Sequence, residues 1–489
     1  MLRIHASVSM AAAAGLVGFA FQACSSSSGG TSSTDGGTDA SSLPDTSAVD
    51  SGSPPPDTGT LDSAAVDSAT VDSSTVDSAA VDAADSATEA GVATHVVYVE
   101  TNDITPGQNA VLGYARAADG SLTPLPGSPF PIGGTGVGNP TQGLGPDDSD
   151  QELVATPDHT RLFAVNAGSN TIAVLDIHAD GTLAAVAGSP FPSGGISPVS
   201  VGVSGSFLYV VNQDEDPAQD AAAGTPGYTA FTVASDGALT AIPGSTVSAG
   251  VSPSVALVSA DGKLLFGADF LAPLKSVPPQ PPLRAFAIGA DGKLTAAPGT
   301  PMAIPEVDGG SPPGTPVALG LALHPTQKVL YVDFTQRSQV GVYTYDGTTG
   351  ALTYVTAAGL SGPAPCWVRV SPDGNFLYVV DTANDSVSVL EASNPLAPVE
   401  IQNLQLDDPG SPLSDASPAT LSEGFEEGIS PDGTFLYVLS QRSTTDPTMP
   451  QGNVLHGLSI GADGKLTETV PDVKLSLPLG TRPQGVVVF

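Results

Sequence analysis

The chain has 489 residues and a formal net charge of −36, from 14 lysines and arginines against 50 aspartates and glutamates. A polyanion repels phosphate groups, so the composition argues against a nucleic acid partner and against electrostatic binding to an anionic membrane surface. Charged residues are only 13% of the chain, so the acidity mainly favours solubility. Two cysteines, Cys24 and Cys366, are too few for a disulfide framework.

The first 24 residues have the layout of an export signal, with Arg3 ahead of a short alanine-rich apolar run. The letters FQAC at 21–24 resemble the lipobox of bacterial lipoproteins. This resemblance implies a signal peptide over 1–23, lipidation at Cys24 and, because serine follows the cysteine, anchoring in the outer membrane of the cell envelope. An ordinary signal peptide with an incidental cysteine is the alternative.

Residues 24–94 predict a disordered acidic tether rich in Ser, Ala and Asp. Such a composition buries too little apolar surface to offset the entropy of ordering the chain. Within it, Leu61 begins a five-residue repeat in which one apolar residue precedes each aspartate, as again at Val66 and Val71. A pentapeptide β-helix would have almost no core, so we favour a self-repelling spacer that gives the following domain reach.

Beyond the tether, short apolar runs recur that end on an aromatic followed by small or β-branched residues. Their spacing is 46–65 residues, and the aromatics are Tyr98, Phe163, Tyr209, Phe266, Tyr331, Tyr378 and Tyr437. Glycine turns recur in step at Gly120, Gly181, Gly237, Gly292, Gly350 and Gly464. The last interval is twice the others, so one such turn is missing between Gly350 and Gly464.

Both signals predict seven units over residues 95–489. Repeats of roughly 40 to 60 residues with short strands and Asp-Gly turns are typical of β-propellers with four-stranded blades. No window shows helical periodicity over three turns. We therefore expect an all-β fold, a seven-bladed β-propeller preceded by the disordered tether.

The two ends of the folded part predict how the ring closes. The first unit opens on HVVYVETN, a second-strand sequence with no first strand before it, and the chain finishes on RPQGVVVF, a first strand with nothing after it. We expect the C-terminal strand to pair with the N-terminal blade. This pairing would remove an exposed edge that invites aggregation.

The repeated units resemble the lactonase-type propellers, which include 6-phosphogluconolactonase-like enzymes and YVTN-repeat surface proteins. The resemblance lies in the segments FLYVVNQ, SPDGNFLYVVD and SPDGTFLYVLS and in the pattern DGxLTxxPGSPF. The resemblance implies a seven-bladed ring and, as an expectation, lactone hydrolysis. In FEEGISPDG, Glu426 matches a glutamate that the family places before its SPDG turn. Arg442 lies one residue from the family's arginine. The family's histidine has no counterpart, because Cys366-Trp367 stands in its place.

Ligands of propellers usually bind at a mouth of the central channel, where the inner strands begin. Those starts are mostly small or apolar here, and the exceptions form the candidate site. Glu426 is the candidate general base, with Arg442 or Arg482 as its electrostatic partner. The candidate ligand-binding residues are Glu152, Trp367, Glu427 and Gln484. For Trp367 the alternative is a side chain that fills space between blades. For Glu426 the alternative is a solvated carboxylate at the rim or a partner of Arg482.

No cofactor or metal site is expected. The histidines lack ligand spacing such as HxH or HExxH. Acidic loops at 147–152 and 214–216 lack the ordered alternation of a calcium loop, so solvated loops are favoured. Cys366 has no histidine base placed for it and is expected to be a packed thiol.

We expect a lipid-anchored, monomeric propeller in the cell envelope. Its function is binding or interaction with a small molecule, glycan or protein at the channel mouth. The first alternative is a lactonase acting on a sugar lactone, and the second is a structural surface-layer protein. The membrane contact is expected through the N-terminal lipid alone.

Overall fold

The computed structural model describes residues 95–138, 149–213, 225–276, 278–305, 317–406, 422–442 and 452–489. The predicted signal peptide, Cys24 and the tether lie outside these residues, as do the acidic positions 147, 148 and 214–216. In the part of the chain that is described, no helix is long and apolar enough to cross a membrane.

Seven antiparallel sheets form the blades of a propeller, and each contains a row of four paired strands. In six sheets the four strands follow one another in the chain, and in the seventh the C-terminal strand pairs with the first strand of the chain. The inner strands are β5 Leu153–Ala155, β10 Pro198–Ser204, β15 Leu257–Val258, β19 Ala318–Leu323, β23 Pro365–Val370, β27 Ser422–Ile429 and β31 Gln484–Val488. The second strands are β1 Val96–Glu100, β6 Arg161–Asn166, β11 Phe207–Asn212, β16 Leu264–Ala268, β20 Val329–Phe334, β24 Phe376–Asp381 and β28 Phe435–Arg442. The seven predicted aromatics all lie on these second strands.

The third strands are β2 Ala110–Arg116, β7 Thr171–Ile177, β12 Gly227–Val233, β17 Leu283–Ile288, β21 Gln339–Tyr345, β25 Ser386–Glu391 and β29 Val454–Ile460. The outer strands are β3 Leu122–Pro124, β8 Leu183–Ala185, β13 Leu239–Ala241, β18 Leu294–Ala296, β22 Leu352–Gly359, β26 Val399–Gln405 and β30 Leu466–Lys474. Three short strands, β4 Phe130–Pro131, β9 Phe191–Pro192 and β14 Val247–Ser248, extend the outer edges of three blades.

We number the blades in chain order. Blade 1 contains β31 with β1–β4, blade 2 β5–β9, blade 3 β10–β14, blade 4 β15–β18, blade 5 β19–β22, blade 6 β23–β26 and blade 7 β27–β30. The described helical segments are single turns between strands, at Ala167–Ser169, Ala272–Lys275, Thr335–Arg337 and Thr382–Asn384. The predicted all-β, seven-bladed fold is confirmed.

The turn between inner and second strand shows how the sequence folds locally. In SPDG at 371–374, the Asp373 carboxylate accepts hydrogen bonds from the Ser371 hydroxyl at 2.6 Å and from the Asn375 backbone amide at 3.0 Å. Gly374 has a φ of +79°, a conformation that glycine adopts without steric cost. The tight turn then returns the chain antiparallel to itself as β24.

Adjacent blades are joined by a repeated contact, which we call the seam. A buried second-strand tyrosine donates its hydroxyl hydrogen to the backbone carbonyl of a turn in the next blade. The pairs with normal distances are Tyr209 to Gly292 at 3.0 Å, Tyr331 to Pro395 at 3.0 Å, Tyr378 to Gly464 at 3.1 Å and Tyr437 to Gly120 at 2.6 Å, and Tyr98 makes the same bond to Gly181. The aromatic and glycine repeats keep the same spacing because their residues meet at the seams.

The seam between blades 5 and 6 explains the missing glycine turn. Blade 6 replaces it with a turn through Asn394 and Pro395, and the Pro395 carbonyl accepts the bond from Tyr331. In blade 2 the aromatic is Phe163, which has no hydroxyl, and Arg161 instead donates to the Ser235 carbonyl of the next blade at 2.6 Å. The seam contact therefore depends on a carbonyl in the right place rather than on one residue type.

The ring closes as the sequence predicts. In blade 1, β31 pairs antiparallel with β1, so that Val488 lies opposite Val97 and Val486 opposite Val99. Tyr437 of blade 7 reaches Gly120 of blade 1 across the junction. The Phe489 ring packs edge-on against Tyr98, with the ring centroids 5.7 Å apart. The chain ends thus supply both the last strand and part of the last seam.

Candidate functional site

A cavity of about 650 Å³ occupies the central channel and extends to the face where the inner strands end. Its walls come from the inner strands of six blades and from the turns that follow them. Aliphatic residues predominate, and the described polar groups at its inner end are Gln151, Arg369 and Glu426. The cavity therefore combines an apolar wall with a small polar set, which is the common composition of a ligand site.

Glu152 and Glu426 form a buried carboxyl pair beside the inner end of this cavity. Both residues are almost fully buried, and their carboxyl groups are hydrogen-bonded to each other. Glu426 also accepts hydrogen bonds from the backbone amides of Gly485 and Gln151. Ser149 donates its hydroxyl hydrogen to Glu152 at 2.7 Å. Two carboxyl groups in such contact share a proton, because both cannot carry charge at this separation.

Burial is the main cause of the altered acidity of the pair. It raises the pKa of Glu152 to about 7, while the hydrogen bonds from Glu426 and Ser149 oppose the rise. It also raises the pKa of Glu426 well above its usual range, and the charges of Glu152 and Asp150 add to this effect while Arg369 opposes it. Near neutral pH the pair therefore changes from a doubly protonated to a singly charged form.

Arg369 is the cation of the site. It stands on the inner strand β23 and binds the Asp150 carboxylate with both terminal nitrogens, at 2.7 and 3.1 Å. The Asp150 side chain is fully buried, whereas 23% of the Arg369 side chain is exposed. The charges of Asp150, Glu427 and Glu426 raise the pKa of Arg369 despite its burial. The guanidinium is thus fixed by two hydrogen bonds and still presents a surface to the cavity.

Further acids are buried near Asp150 and the carboxyl pair. Glu427 and Asp333 are fully buried, and neither carboxyl group has a hydrogen-bond partner among the described residues. Burial raises the pKa of both well above the usual range. Glu100 is also buried beside Glu426 and accepts a hydrogen bond from Asn109 at 2.8 Å. One arginine cannot neutralise so many carboxylates, so we expect several of these acids to be protonated at neutral pH.

Two predicted partners of Glu426 lie elsewhere. Arg482 faces the carboxyl group of Glu423. Burial raises the pKa of Glu423 to about 8, and the positive charge of Arg482 opposes this rise. Arg442 lies opposite Ser422, four residues before Glu426 on β27. At about 3.3 Å per residue this separates the two by roughly 13 Å along the strand. The pairing of Glu426 with either arginine is therefore corrected: Arg369 has that position, and Glu426 is neither a rim carboxylate nor a partner of Arg482.

The other predicted residues are placed as follows. Gln484 is buried on β31 opposite Glu100 and hydrogen-bonded to it. Trp367 is 1% exposed, donates from its indole nitrogen to the Ser149 carbonyl at 2.8 Å and packs on Phe425 with centroids 4.3 Å apart. Its rings thus fill space between inner strands and do not form a platform. Cys366 is buried beside it.

The solvated-loop interpretation is wrong for two acidic residues. Asp150 and Glu152 are both fully buried, because one binds Arg369 and the other pairs with Glu426. Among the described residues, no group of three or more His, Cys, Asp or Glu is arranged to hold a metal ion.

Sequence reasoning missed Arg369, although a signal was available. In the described inner strands it is the one basic residue, within the otherwise apolar WVRV of β23. A charged residue on a strand that faces a channel rarely lacks a partner or a ligand.

The fold and this site define the class of protein: a seven-bladed propeller with buried acids and Arg369 at the cavity of its channel. A sequence profile of the family "Lactonase, 7-bladed beta-propeller" matches residues 197–470, and the chain belongs to that family. None of the curated proteins compared with the chain matches it significantly.

Solved structures of low sequence identity share the fold. One is a candidate 6-phosphogluconolactonase from Bacteroides uniformis, with a TM-score of 0.56 and 15% identity over 80% of this chain and 98% of that chain. Another is a periplasmic gluconolactonase from Pseudomonas aeruginosa, with a TM-score of 0.55 and 17% identity over 80% and 99% of the two chains. At these identities the likeness shows the fold alone.

Proposed function

We propose that the protein hydrolyses a lactone in the cavity of its central channel. The observation that carries the proposal is the Glu152–Glu426 carboxyl pair beside Arg369 at the inner end of that cavity. Lactone hydrolysis needs a base for water and a positive group for the oxygen that becomes charged. Membership of the lactonase family supports the same reaction class.

In this mechanism Glu426 takes a proton from water as the water oxygen attacks the lactone carbonyl carbon. The carbonyl oxygen becomes negatively charged, and the exposed side of the Arg369 guanidinium stabilises it. The bond from the carbonyl carbon to the ring oxygen then breaks. Glu426 returns the proton to the ring oxygen, so the product is an open hydroxy acid and the base is regenerated.

The roles of the neighbouring groups follow from their contacts. Asp150 holds the guanidinium through two hydrogen bonds, and the backbone amides of Gly485 and Gln151 hold Glu426. Glu152 raises the pKa of Glu426, which makes Glu426 a stronger base once it is charged. Glu426 can act as a base only after it has lost its own proton, so we expect the rate to rise as the pH increases above the usual pKa range of a glutamate.

The test is a rate measurement on the whole protein with a panel of lactones, beside Glu426→Gln. We expect the variant to lose a factor of about 10² to 10⁴ in kcat, the usual contribution of a general base. Glu423→Gln is the matched control and should keep most of the rate, because Glu423 is a partly buried glutamate on the same strand that faces Arg482. Equal rates in wild type and Glu426→Gln would refute the mechanism.

If wild type hydrolyses no lactone of the panel, the favoured function is binding at the channel, as the sequence first indicated.

Localisation is a separate proposal, which rests on FQAC at 21–24: we propose that Cys24 is lipidated and anchors the protein in the cell envelope. Cys24→Ser should release the protein from the membrane fraction. Membrane retention of that variant would contradict the anchor.

A further inference from the structure

Aliphatic side chains make up most of the wall of the channel cavity, and polar side chains such as Thr156, Gln327 and Lys328 lie in the turns that follow the inner strands. Partly exposed apolar side chains project from the ends of the inner strands in blades 1, 2, 4, 5, 6 and 7. They are Val488, Val154, Val258, Leu323, Val370 and Ile429. Each of these residues packs in part against the apolar core between the blades and keeps the rest of its side chain at the surface of the cavity. An apolar surface kept in contact with a cavity is suited to an apolar ligand.

The charges along the same wall are few. Arg369 and Lys328 are the basic residues among those described in the lining. Arg369 is held by Asp150 with both terminal nitrogens. Lys328 lies over the Tyr345 ring, 5.5 Å from its centroid, and near Asp261. The cavity therefore presents no cluster of basic groups of the kind that binds a phosphate.

The two histidines of the mouth add no positive charge at neutral pH. Burial lowers the pKa of both His159 and His324, although Asp158 opposes this for His159. The His159 ring stacks on Phe489 with centroids 4.0 Å apart. The Nδ1 atom of His324 accepts hydrogen bonds from the backbone amides of Thr326 and Gln327, so that ring is held by its own turn.

We propose that the substrate is an uncharged lactone with an apolar chain or ring, rather than a polyhydroxy or phosphorylated sugar lactone. Its carbonyl would lie at the inner end by Glu426 and Arg369, and its apolar part along the ends of the inner strands. A phosphorylated sugar would meet acids at one end, and its hydroxyl groups would lie against the aliphatic ends of the inner strands, whose side chains offer them no hydrogen bonds. This inference rests on the proposed lactone hydrolysis and deepens it.

The volume of about 650 Å³ lies within the range of sites for small organic ligands. If the chain of the substrate lies on the aliphatic wall, each added methylene is buried from water. Burial of a methylene contributes about 0.8 kcal/mol, which corresponds to roughly a fourfold gain in kcat/KM. The gain should stop when the chain fills the cavity and extends beyond its mouth.

The experiment compares kcat/KM of the whole protein for three kinds of lactone. These are unbranched γ-lactones of increasing chain length, glucono-δ-lactone and its 6-phosphate. We expect a stepwise rise of about fourfold per methylene, followed by a plateau, and rates for both sugar lactones at least tenfold below the best alkyl lactone. Preference for either sugar lactone overturns the substrate class and leaves lactone hydrolysis standing. Absence of all hydrolysis instead removes the proposed function, so the two failures are distinguishable.

A pair of variants in blade 5 tests the wall itself. Leu323→Gln places an amide on the cavity surface, and we expect it to abolish the gain in kcat/KM per methylene for long chains. Val355→Gln is the control, because Val355 is 40% exposed on the outer strand β22. An unchanged chain-length dependence in Leu323→Gln would contradict the proposed location of the chain. If Leu323→Gln fails to fold, the dependence in wild type still decides the substrate class.

Discussion

Between blades, one contact is repeated around the ring, whereas the channel wall changes from strand to strand. The seams join a tyrosine hydroxyl to a turn carbonyl in five places, and each donor has its acceptor. The channel collects Asp150, Glu152, Glu426, Glu427 and Arg369, with some carboxyl oxygens unpartnered among the described residues. The scaffold is stabilised by repetition of a neutral contact, and the site arises where individual inner strands depart from the repeat.

Loss of the C-terminal strand should have the largest effect on the scaffold. Deleting residues 482–489 removes β31 and exposes the edge of β1, so we expect aggregation and no single cooperative thermal transition. Val488→Thr, which keeps the backbone pairing at a partly exposed position, should melt cooperatively. A deletion variant with the melting curve of wild type would contradict closure by this strand.

The second largest effect on stability should come from breaking an ion pair in the channel, and it should exceed the effect of breaking an ion pair between two blades. Arg369→Met leaves Asp150 buried without its cation, and we expect a loss of about 3–5 kcal/mol in the free energy of unfolding. Arg116→Met breaks the 3.2 Å pair with Asp432 of blade 7, whose side chain is 43% exposed. There we expect a loss of about 0–1 kcal/mol from the pair. Urea unfolding of both variants measures the difference, and equal losses would break the comparison.

The pH dependence of stability should come from the channel. Glu427 has a folded pKa well above its unfolded value, so its stabilising contribution is complete below about pH 4.5 and is lost as pH rises through the folded pKa. Glu427→Gln cannot ionise and should therefore be more stable than wild type at pH 8, with the difference vanishing towards pH 4.5.

Thermal unfolding between pH 4.5 and 8 measures this effect. Glu391→Gln, at the end of β25 and partly exposed, is the control and should follow wild type. If Glu427→Gln were no more stable than wild type at pH 8, the buried acid would have to be charged at little cost, contrary to its surroundings.

A single seam hydrogen bond should have the smallest effect. Tyr437→Phe leaves the Gly120 carbonyl without its donor, which should cost about 1 kcal/mol in the free energy of unfolding. Tyr331→Phe should behave alike, because Pro395 presents the same acceptor. Both losses should be equal at pH 5.5 and pH 8. A loss that changes strongly with pH would show that the seams are not electrically neutral.

The blade-building residues could be predicted because they act locally and recur. Gly374 and its neighbours in SPDG form a turn from four consecutive residues, and the aromatic of each second strand is identifiable from its own strand. Glu426 was also predictable, through its place before SPDG at 430–433. Arg369 was not recognised, since its partner Asp150 lies 219 residues away in the sequence.

The sequence by itself determined the ring: the number of units, the direction of its strands and the pairing of its two ends. The first two follow from apolar patterns and turns within single blades, whose physical requirements are short-range. The third follows from the incomplete units at the two ends, each of which lacks the strand that the other supplies. The tertiary structure alone decided which charges meet in the channel. It brought Glu152 to Glu426 and Asp150 to Arg369, and placed Arg482 with Glu423, because closing the ring sets the neighbours of each inner strand.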